Sequence, residues 1–154
     1  MSSIQSIRGF LGLHRLAVVG VSRNPRDFTR TMFRELRARG YDVVPVNPGV
    51  PEVDGLPCLP NVYEAEPPVE GALLMTNPAV TEEVVRECAA AGIHHIWMYS
   101  SGHGGAVSPE AVAYCRMNGI DLVKGECPFM FLSETSWPHR LHGFCRKLVG
   151  RYPN

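Results

Sequence analysis

One short segment combines the residue types that bind phosphate groups: Gly20-Val21-Ser22-Arg23-Asn24-Pro25. It follows an apolar run, Leu16–Val21, and precedes a helical pattern. A glycine lets the backbone approach a ligand closely, a serine offers a hydroxyl, and an arginine adds a positively charged fork. Free N–H groups and the helix dipole favour an anion at a helix start. The segment therefore predicts a phosphate-binding turn, and an ordinary capped turn is the alternative.

The end of the second apolar run bears on which nucleotide the turn would serve. The turn lacks the second and third glycines of the dinucleotide fingerprint GxGxxG. NAD sites place Asp or Glu at the end of the second strand to hold the ribose, whereas this sequence has Asn47, followed by Pro48. No Lys or Arg lies between Tyr41 and Val85 to hold an NADP phosphate. Asn47 does not repel a phosphate on the sugar, such as coenzyme A carries, which favours coenzyme A over NAD.

Apolar runs alternate with helical patterns along the chain, and this alternation predicts βαβ units in an α/β fold. We expect one Rossmann-like domain over residues 1–154, with a core at about 14–128 and a C-terminal extension at 129–154. The predicted sheet is mostly parallel, with flanking helices and the strand order 3-2-1-4-5-6. Its strands are Leu16–Val21, Asp42–Asn47, a stub near Pro57–Leu59, Glu70–Thr76, His95–Ser100 and Ile120–Lys124.

Helix ends carry their usual signals. Gly40 ends the first helix, Asn77-Pro78 opens the second, and Ser108-Pro109 opens the third. Pro138 starts a C-terminal helix whose apolar face would hold Leu141, Phe144, Cys145 and Leu148. The arginines of the first helix are expected to form a solvated face: Arg30, Arg34, Arg37 and Arg39.

The predicted strand order reverses direction between Leu16–Val21 and Glu70–Thr76. Ligands of open α/β sheets bind at such a switch point, beyond the carboxyl ends of the strands. The order therefore places Gly20–Asn24 and Thr76–Pro78 on opposite walls of one crevice.

Several short motifs occur in a characteristic order: Val18-Val-Gly-Val-Ser-Arg-Asn-Pro25, Gly40-Tyr41, Pro45-Val-Asn-Pro48, Gly55-Leu-Pro-Cys-Leu-Pro60, Asn77-Pro78-Ala79-Val80, Ile96-Trp97 and Cys127-Pro128. In these motifs the sequence resembles the small CoA-binding proteins of the YccU-like type. It is more distantly similar to the N-terminal domain of the succinyl-CoA ligase alpha subunit. The resemblance implies a Rossmann-like domain that binds CoA or acyl-CoA. The implied contacts are Gly20, Val21, Ser22, Arg23, Asn24, Asn47, Pro48, Thr76, Asn77, Pro78, Ser100, Ser101 and Gly102.

The sequence also departs from this family pattern. Gly49 stands where family members often have a lysine, which removes a phosphate partner, and the loop Tyr99–Gly105 is polar and glycine-rich. The chain has no room for the phosphohistidine domain of the ligase, so we do not expect acyl-CoA synthesis by this chain alone. Two other functions stay open: an NAD(P)-dependent oxidoreductase, and an accessory subunit of an acyl-CoA ligase. A homodimer is also compatible with the sequence.

Two reactive residue types lie near the predicted crevice, Cys127 and His103. A packed thiol and an exposed loop histidine are the alternative interpretations, and the sequence indicates no complete catalytic site. His139, His142 and Cys145 are spaced by three, a pattern common by chance, and we expect no metal site.

Composition excludes several function classes. The formal net charge of the 154-residue chain is zero, which argues against broad binding to a nucleic acid backbone. No run of 18 apolar residues predicts a membrane span, and the first residues lack a signal-peptide pattern. The five cysteines include no CxxC pair. These features favour a cytoplasmic protein with reduced thiols.

Overall fold

A computed structural model describes residues 2–101 and 104–132 of the chain. Five strands form a parallel sheet, and two short strands form a separate antiparallel hairpin. In chain order the elements are α1 (Ile4–Leu11), β1 (Arg15–Val19), α2 (Phe28–Ala38), β2 (Asp42–Val46), β3 (Glu52–Val53), β4 (Leu56–Pro57), β5 (Gly71–Leu74), α3 (Pro78–Ala90), β6 (His95–Tyr99), α4 (Pro109–Met117) and β7 (Asp121–Glu126), with 3₁₀ turns at Val62–Glu64 and Pro128–Met130.

The sheet has the order β2-β1-β5-β6-β7, and each neighbouring pair is parallel. This confirms the α/β, Rossmann-like class. In the numbering of the predicted strands the observed order is 2-1-4-5-6. The predicted order 3-2-1-4-5-6 is therefore wrong in placing a full strand 3 at the edge beside strand 2. The expected strand near Pro57–Leu59 is a single parallel bridge between Val46 and Leu59. It extends no further because the residues before it pair within the hairpin and Asn61 starts a 3₁₀ turn.

Helices cover both faces of the sheet. On one face α1 and α2 bury Phe10 and Phe33, and on the other α3 and α4 bury Val85 and Cys115. Side chains along Leu16–Val19 alternate between these two cores, and all four are buried. A strand covered on both faces has no polar side, which explains the continuous apolar runs of the sequence.

The helix starts on the second face follow the predicted signals. Asn77 Oδ1 accepts a hydrogen bond from Val80 N–H at 3.0 Å, and Ser108 Oγ accepts one from Ala111 N–H at 3.3 Å. A proline follows each cap at the first helical position, where its missing N–H costs nothing. The predicted openings of both helices are confirmed.

Helix α1 has no counterpart among the predicted elements. Ser3 caps it by accepting a hydrogen bond from Ser6 N–H, and Ile7 and Phe10 are its buried residues. The ring of Phe10 meets Trp97 edge-on, with 5.4 Å between the ring centroids. The helix thus covers the part of the sheet that α2 leaves open.

Ser2, two residues before α1, is bonded to the edge strand β7. Ser2 Oγ accepts a hydrogen bond from Lys124 N–H at 2.7 Å and lies 3.2 Å from the carbonyl oxygen of the same residue, to which it donates. One side chain therefore satisfies both backbone groups of Lys124 on the open side of the sheet.

Some predicted features lie outside the described residues. They are Gly102, His103 and the C-terminal helix from Pro138 with Leu141, Phe144, Cys145 and Leu148. Within residues 2–101 and 104–132, no helix is long and apolar enough to cross a membrane.

Replacing Phe10 by alanine tests the contribution of α1. We expect a loss of about 3–5 kcal/mol in the free energy of unfolding, because the change leaves a cavity against Trp97. Urea unfolding would measure it, with Gln5→Ala on the exposed face of α1 as the control. The control should stay within about 0.5 kcal/mol of the parent. Equal losses in the two variants would contradict the packing role of α1.

Candidate functional site

Two cavities open at the carboxyl ends of β1 and β5, where the strand order reverses. One has a volume of about 410 Å³ and the other about 520 Å³, within the range of about 300–1,000 Å³ typical of ligand sites. The β2-side cavity is lined by Val19, Gly20, Val46, Asn47, Pro48, Pro60, Met75, Thr76, Asn77, Val80, Glu83, Val84 and Glu87. The β6-side cavity is lined by Phe28, Thr29, Met75, Thr76, Tyr99, Ser101, Gly104 and Gly105. Because Met75 and Thr76 line both, the cavities are neighbours just beyond β5.

The predicted contact residues divide between these cavities and the turn that joins β1 to α2. Those that line the β2-side cavity are Gly20, Asn47, Pro48, Thr76 and Asn77. Those that line the β6-side cavity are Thr76 and Ser101. The others are the turn residues Val21, Ser22, Arg23 and Asn24, the first residue of α3, Pro78, and Ser100 in the loop after β6. Gly102 lies outside the described residues.

Gly20 sets how closely the turn approaches β5. Its N–H donates to the carbonyl oxygen of Val46 at 2.8 Å, and its φ is +95°. A Cβ atom at this position would lie 2.6 Å from the carbonyl oxygen of Met75, closer than real Cβ contacts. Only glycine combines this backbone conformation with this approach. The fold of the crevice therefore requires glycine at position 20, whether or not a ligand is bound.

Hydrogen bonds within the turn leave a specific backbone group open. Ser22 N–H donates to Thr29 Oγ1 at 2.9 Å, and Ser22 Oγ accepts from Asn24 N–H at 3.1 Å. Within the described part of the chain, the N–H of the exposed Arg23 has no hydrogen-bond partner, whereas Val21 is fully buried. Backbone N–H groups of this kind are the donors that bind anions in loops before helices.

Asp27, which sequence reasoning missed, occupies the start of α2. Its Oδ1 accepts hydrogen bonds from Thr29 N–H at 2.8 Å and from Thr29 Oγ1 at 2.6 Å. A carboxylate there satisfies helix donors and neutralises the positive end of the helix dipole. An anion at this turn would therefore be bound by backbone N–H groups that precede the helix and by the Arg23 side chain. The signal for Asp27 was present, since aspartate is a preferred N-cap residue.

The amide of Asn47 is bonded at both ends within the protein. Its Nδ2 donates to the carbonyl oxygen of Val21 at 2.9 Å, and its Oδ1 accepts from Gly49 N–H at 3.0 Å. The Arg23 guanidinium also reaches this loop and donates to the carbonyl oxygen of Gly49. The positive charge of Arg23 thus stands beside Gly49, the position where family members often have a lysine.

Two threonines define the polarity of the crevice at the start of α3. The buried Thr81 Oγ1 donates to the carbonyl oxygen of Asn77 at 3.0 Å and lies 2.6 Å from Thr76 Oγ1. Because Thr81 gives its single proton to Asn77, Thr76 donates to Thr81 and presents acceptor lone pairs to the crevice. Thr76 therefore suits an N–H or O–H group of a ligand better than a phosphate.

Glu83 and Glu87 of α3 add negative charge to the β2-side cavity. Burial raises the pKa of Glu87 above its ordinary value, and the charge of Glu83 raises it further. Carboxylates accept hydrogen bonds from hydroxyl and amino groups and repel phosphates. Sequence reasoning missed this pair, although their spacing of four places them on the same face of the helix.

The β6-side cavity has an aromatic wall. Phe28 of α2 lies 5.5 Å from Tyr99 and 5.8 Å from Phe129, measured between ring centroids. Burial raises the pKa of the Tyr99 hydroxyl, as does the electrostatic influence of Cys127, while a hydrogen bond with Ser101 opposes the shift. Cys127 itself is buried, which agrees with the interpretation of a packed thiol.

Other parts of the molecule hold no predicted contact residue. A cavity of about 540 Å³ lies at the opposite end of the sheet, around His14 and Tyr41. Among the described residues, no three His, Cys, Asp or Glu side chains are grouped closely enough to hold a metal ion. The triple formed by His139, His142 and Cys145 lies outside those residues.

Comparison with known proteins identifies the family. Residues 14–133 match the sequence profile of the CoA binding domain. The chain belongs to this family. This CoA binding domain is 26% identical over 125 residues to acetate–CoA ligase [ADP-forming] I of Archaeoglobus fulgidus. The match covers 77% of the chain but spans only 18% of the ligase.

Smaller proteins match over most of their length. The CoA binding domain is 25% identical over 117 residues to the uncharacterized protein YneT of Bacillus subtilis, covering 73% of the chain and 81% of YneT. It superimposes on a conserved hypothetical protein from Pyrococcus furiosus with a TM-score of 0.67 and 30% identity. That superposition covers 74% of the chain and 95% of the Pyrococcus chain. These matches confirm the resemblance found in the sequence motifs.

Replacing Gly20 by alanine tests the close approach at the switch point. Gly40→Ala is the matched control, because Gly40 has nearly the same φ, +93°, and nothing within 4 Å of an added Cβ. Both variants should lose about 1–2 kcal/mol of unfolding free energy from backbone strain. Gly20→Ala should lose about 1–3 kcal/mol more from overpacking against Met75. Chemical denaturation would measure both, and equal losses would show that the Met75 contact is unimportant.

Proposed function

We propose that this protein binds coenzyme A or an acyl-CoA across the crevice, with no reaction assigned to it. The observation that carries the proposal is that a member of the CoA binding domain family has two neighbouring cavities that share Thr76, directly beside the Gly20 turn. An elongated ligand with a nucleotide at one end and a thiol at the other fits two neighbouring cavities better than one compact ligand does.

The adenosine would occupy the β2-side cavity. Rossmann-like domains hold the adenosine ribose beside the end of the second strand, and Val46 and Asn47 form that wall here. Val19 and Val84 give the cavity an apolar floor for a base. Glu83 and Glu87 accept hydrogen bonds from the amino group of adenine or from ribose hydroxyls.

The phosphates would lie over the turn and its rim. The open N–H of Arg23 offers a donor, and the exposed guanidinium of the same residue offers a charge. The acids on α3 favour this position over the interior of the β2-side cavity, because phosphates bound inside would lie close to Glu83 and Glu87.

The pantetheine arm would then run past Thr76 into the β6-side cavity. Thr76 Oγ1 presents acceptor lone pairs that suit the amide N–H groups of the arm. Phe28 and Tyr99 provide an apolar end for the thiol or a thioester.

A role within an acyl-CoA ligase is a second candidate, and the similarity to one segment of an ADP-forming acetate–CoA ligase favours it. In that case the protein would supply the CoA-binding part of an assembly whose other parts are separate chains. Purification from its native source should then yield a complex with an ATP-grasp protein. Recovery of the chain alone, as a monomer or a homodimer, would contradict this candidate.

An NAD(P)-dependent oxidoreductase is the weaker alternative. Asn47 stands where an NAD site has a carboxylate, and both ends of its amide are bonded to Val21 and Gly49. Titration with NAD and NADPH beside CoA separates these ligands directly.

Calorimetric titration of Arg23→Ala tests the phosphate contact. We expect the parent to bind CoA in preference to NAD and NADPH, and the variant to bind CoA about tenfold more weakly, because a charged hydrogen bond to phosphate is lost. Arg26→Ala, an exposed arginine of the same turn, is the control and should lose less affinity. Circular dichroism would verify the fold. Unchanged CoA binding by Arg23→Ala would exclude Arg23 from the site.

The pH dependence of CoA binding tests the acidic wall. The raised pKa of Glu87 means that it takes up a proton at a higher pH than an ordinary glutamate. Binding of an anionic ligand favours the protonated form, so CoA affinity should rise as the pH falls from 8 toward about 5, near the usual glutamate range. Glu87→Gln should bind CoA more tightly at pH 8 and show a flatter profile. Subtracting the two profiles removes the titration of the CoA phosphates.

Glu110→Gln at the start of α4 is the control for this experiment, because Glu110 lines neither cavity. It should keep the parental profile. A profile of Glu87→Gln that matches the parent would show that the ligand does not approach the acidic wall.

A further inference from the structure

Two arginines of α2 are bonded to one aspartate in the hairpin β3–β4. Asp54 accepts hydrogen bonds from Arg30 and from Arg34, whose Nε and Nη2 lie 2.8 Å and 3.1 Å from its two oxygens. The two guanidinium groups lower the pKa of Asp54 to about 2, so it is ionised at neutral pH. The expected solvated face of α2 is therefore wrong at Arg30, which is only 7% exposed.

The hairpin places Asp54 where α2 needs it. Asp54 and Gly55 connect β3 to β4 with φ values of +48° and +81°. Positive φ at both central residues is the geometry of a type I′ turn, for which Asp-Gly is a preferred sequence. Val53, just before the turn, is fully buried in the same core as α2. The hairpin is thus fixed to the fold on one side and presents a carboxylate on the other.

The second half of the Arg30 fork contacts the phosphate turn. Its Nη1 donates to the carbonyl oxygens of Ser22 and Arg23 at 3.2 Å and 3.3 Å. In a trans peptide the C=O and the next N–H point in opposite directions. Because the Ser22 carbonyl faces Arg30, the N–H of Arg23 faces away from it, and that N–H has no hydrogen-bond partner among the described residues.

We propose that Arg30 is a positioning residue for ligand binding: Asp54 holds its guanidinium, and Arg30 turns the peptide between Ser22 and Arg23 so that its N–H meets the ligand phosphates. The inference rests on the proposed CoA function and deepens it. The hairpin is then part of the binding site, although Asp54 lines neither cavity of the crevice. A carbonyl oxygen turned toward the phosphates would repel them, which is why the orientation matters.

The test compares CoA with pantetheine, which lacks the nucleotide and its phosphates. Arg30→Gln should weaken CoA binding about tenfold or more, because a charged group no longer holds the turn. Pantetheine affinity should change much less. A general loss of structure would weaken both ligands equally, so the ratio of the two dissociation constants separates positioning from stability. Arg37→Gln on the exposed face of α2 is the control and should leave the ratio unchanged.

Asp54→Asn keeps the inference testable if Arg30→Gln folds poorly. Asn-Gly forms the same type I′ turn, so the hairpin is retained while the charge that holds Arg30 is removed. Asp54→Asn should shift the CoA-to-pantetheine ratio in the same direction. Adding it to Arg30→Gln should cause no further shift, because Asp54 acts through Arg30.

The outcomes distinguish this inference from the proposed function. A parent protein that fails to bind CoA overturns both. A parent that binds CoA, with an unchanged ratio in Asp54→Asn or with additive losses in the double variant, overturns the positioning role alone.

Discussion

The crevice depends on the contact between two strand ends, where Gly20 meets the carbonyl of Met75. β1 is followed by a turn toward one edge of the sheet, and β5 by a helix on the opposite face. Because the chain leaves β1 and β5 in different directions, a gap opens between the two segments. Gly20 lets the segments approach closely at the bottom of this gap. Its N–H is bonded to Val46, so the same residue ties the end of β2 into the arrangement. The turn, the β2 loop and the start of α3 all take their positions from this junction.

Several acidic side chains around the crevice are neutralised by local partners. Asp27 is bonded to the first turn of α2, and Asp54 is held by two arginines, so neither of these acids confronts the opening. Glu83 and Glu87 remain on the α3 wall. Arg23, tied to the Gly49 carbonyl, places positive charge at the rim. The acidic side chains and the arginine thus lie at different places along the crevice, which gives a long ligand a preferred direction.

The parts of the fold predicted from the sequence are those governed by local rules. The apolar runs at Leu16–Val21 and His95–Ser100, and the helix start at Asn77-Pro78, carry their own signals. Helix α1 was not predicted, because it is short and its stability comes from the packing of Phe10 on Trp97, which lies far away in the sequence. The hairpin was not predicted, although Asp54-Gly55 is a strong turn signal, because its two strands are only two residues long and show no alternating pattern.

The crevice was predictable in its location, whereas the contacts of its side chains were not. The strand order predicted a crevice beside Gly20 and Thr76, and both residues line the β2-side cavity together with Asn47. The roles of the side chains depend on partners that the sequence does not pair. Asn47 was predicted as a ligand contact, and its amide is bonded to Val21 and Gly49 within the protein. Arg30 was expected on a solvated face and is buried. A residue type indicates what a side chain is able to do, whereas the neighbouring elements decide which of those abilities is used.

The Ser2 hydroxyl has a consequence for how this sheet meets other molecules. By bonding both backbone groups of Lys124, it imitates a residue of a sixth strand and fills one rung of the ladder on the outside of β7. A strand from another chain that approached this edge would have to displace it and move the start of α1. Self-association through a continuous intermolecular sheet at β7 is therefore disfavoured.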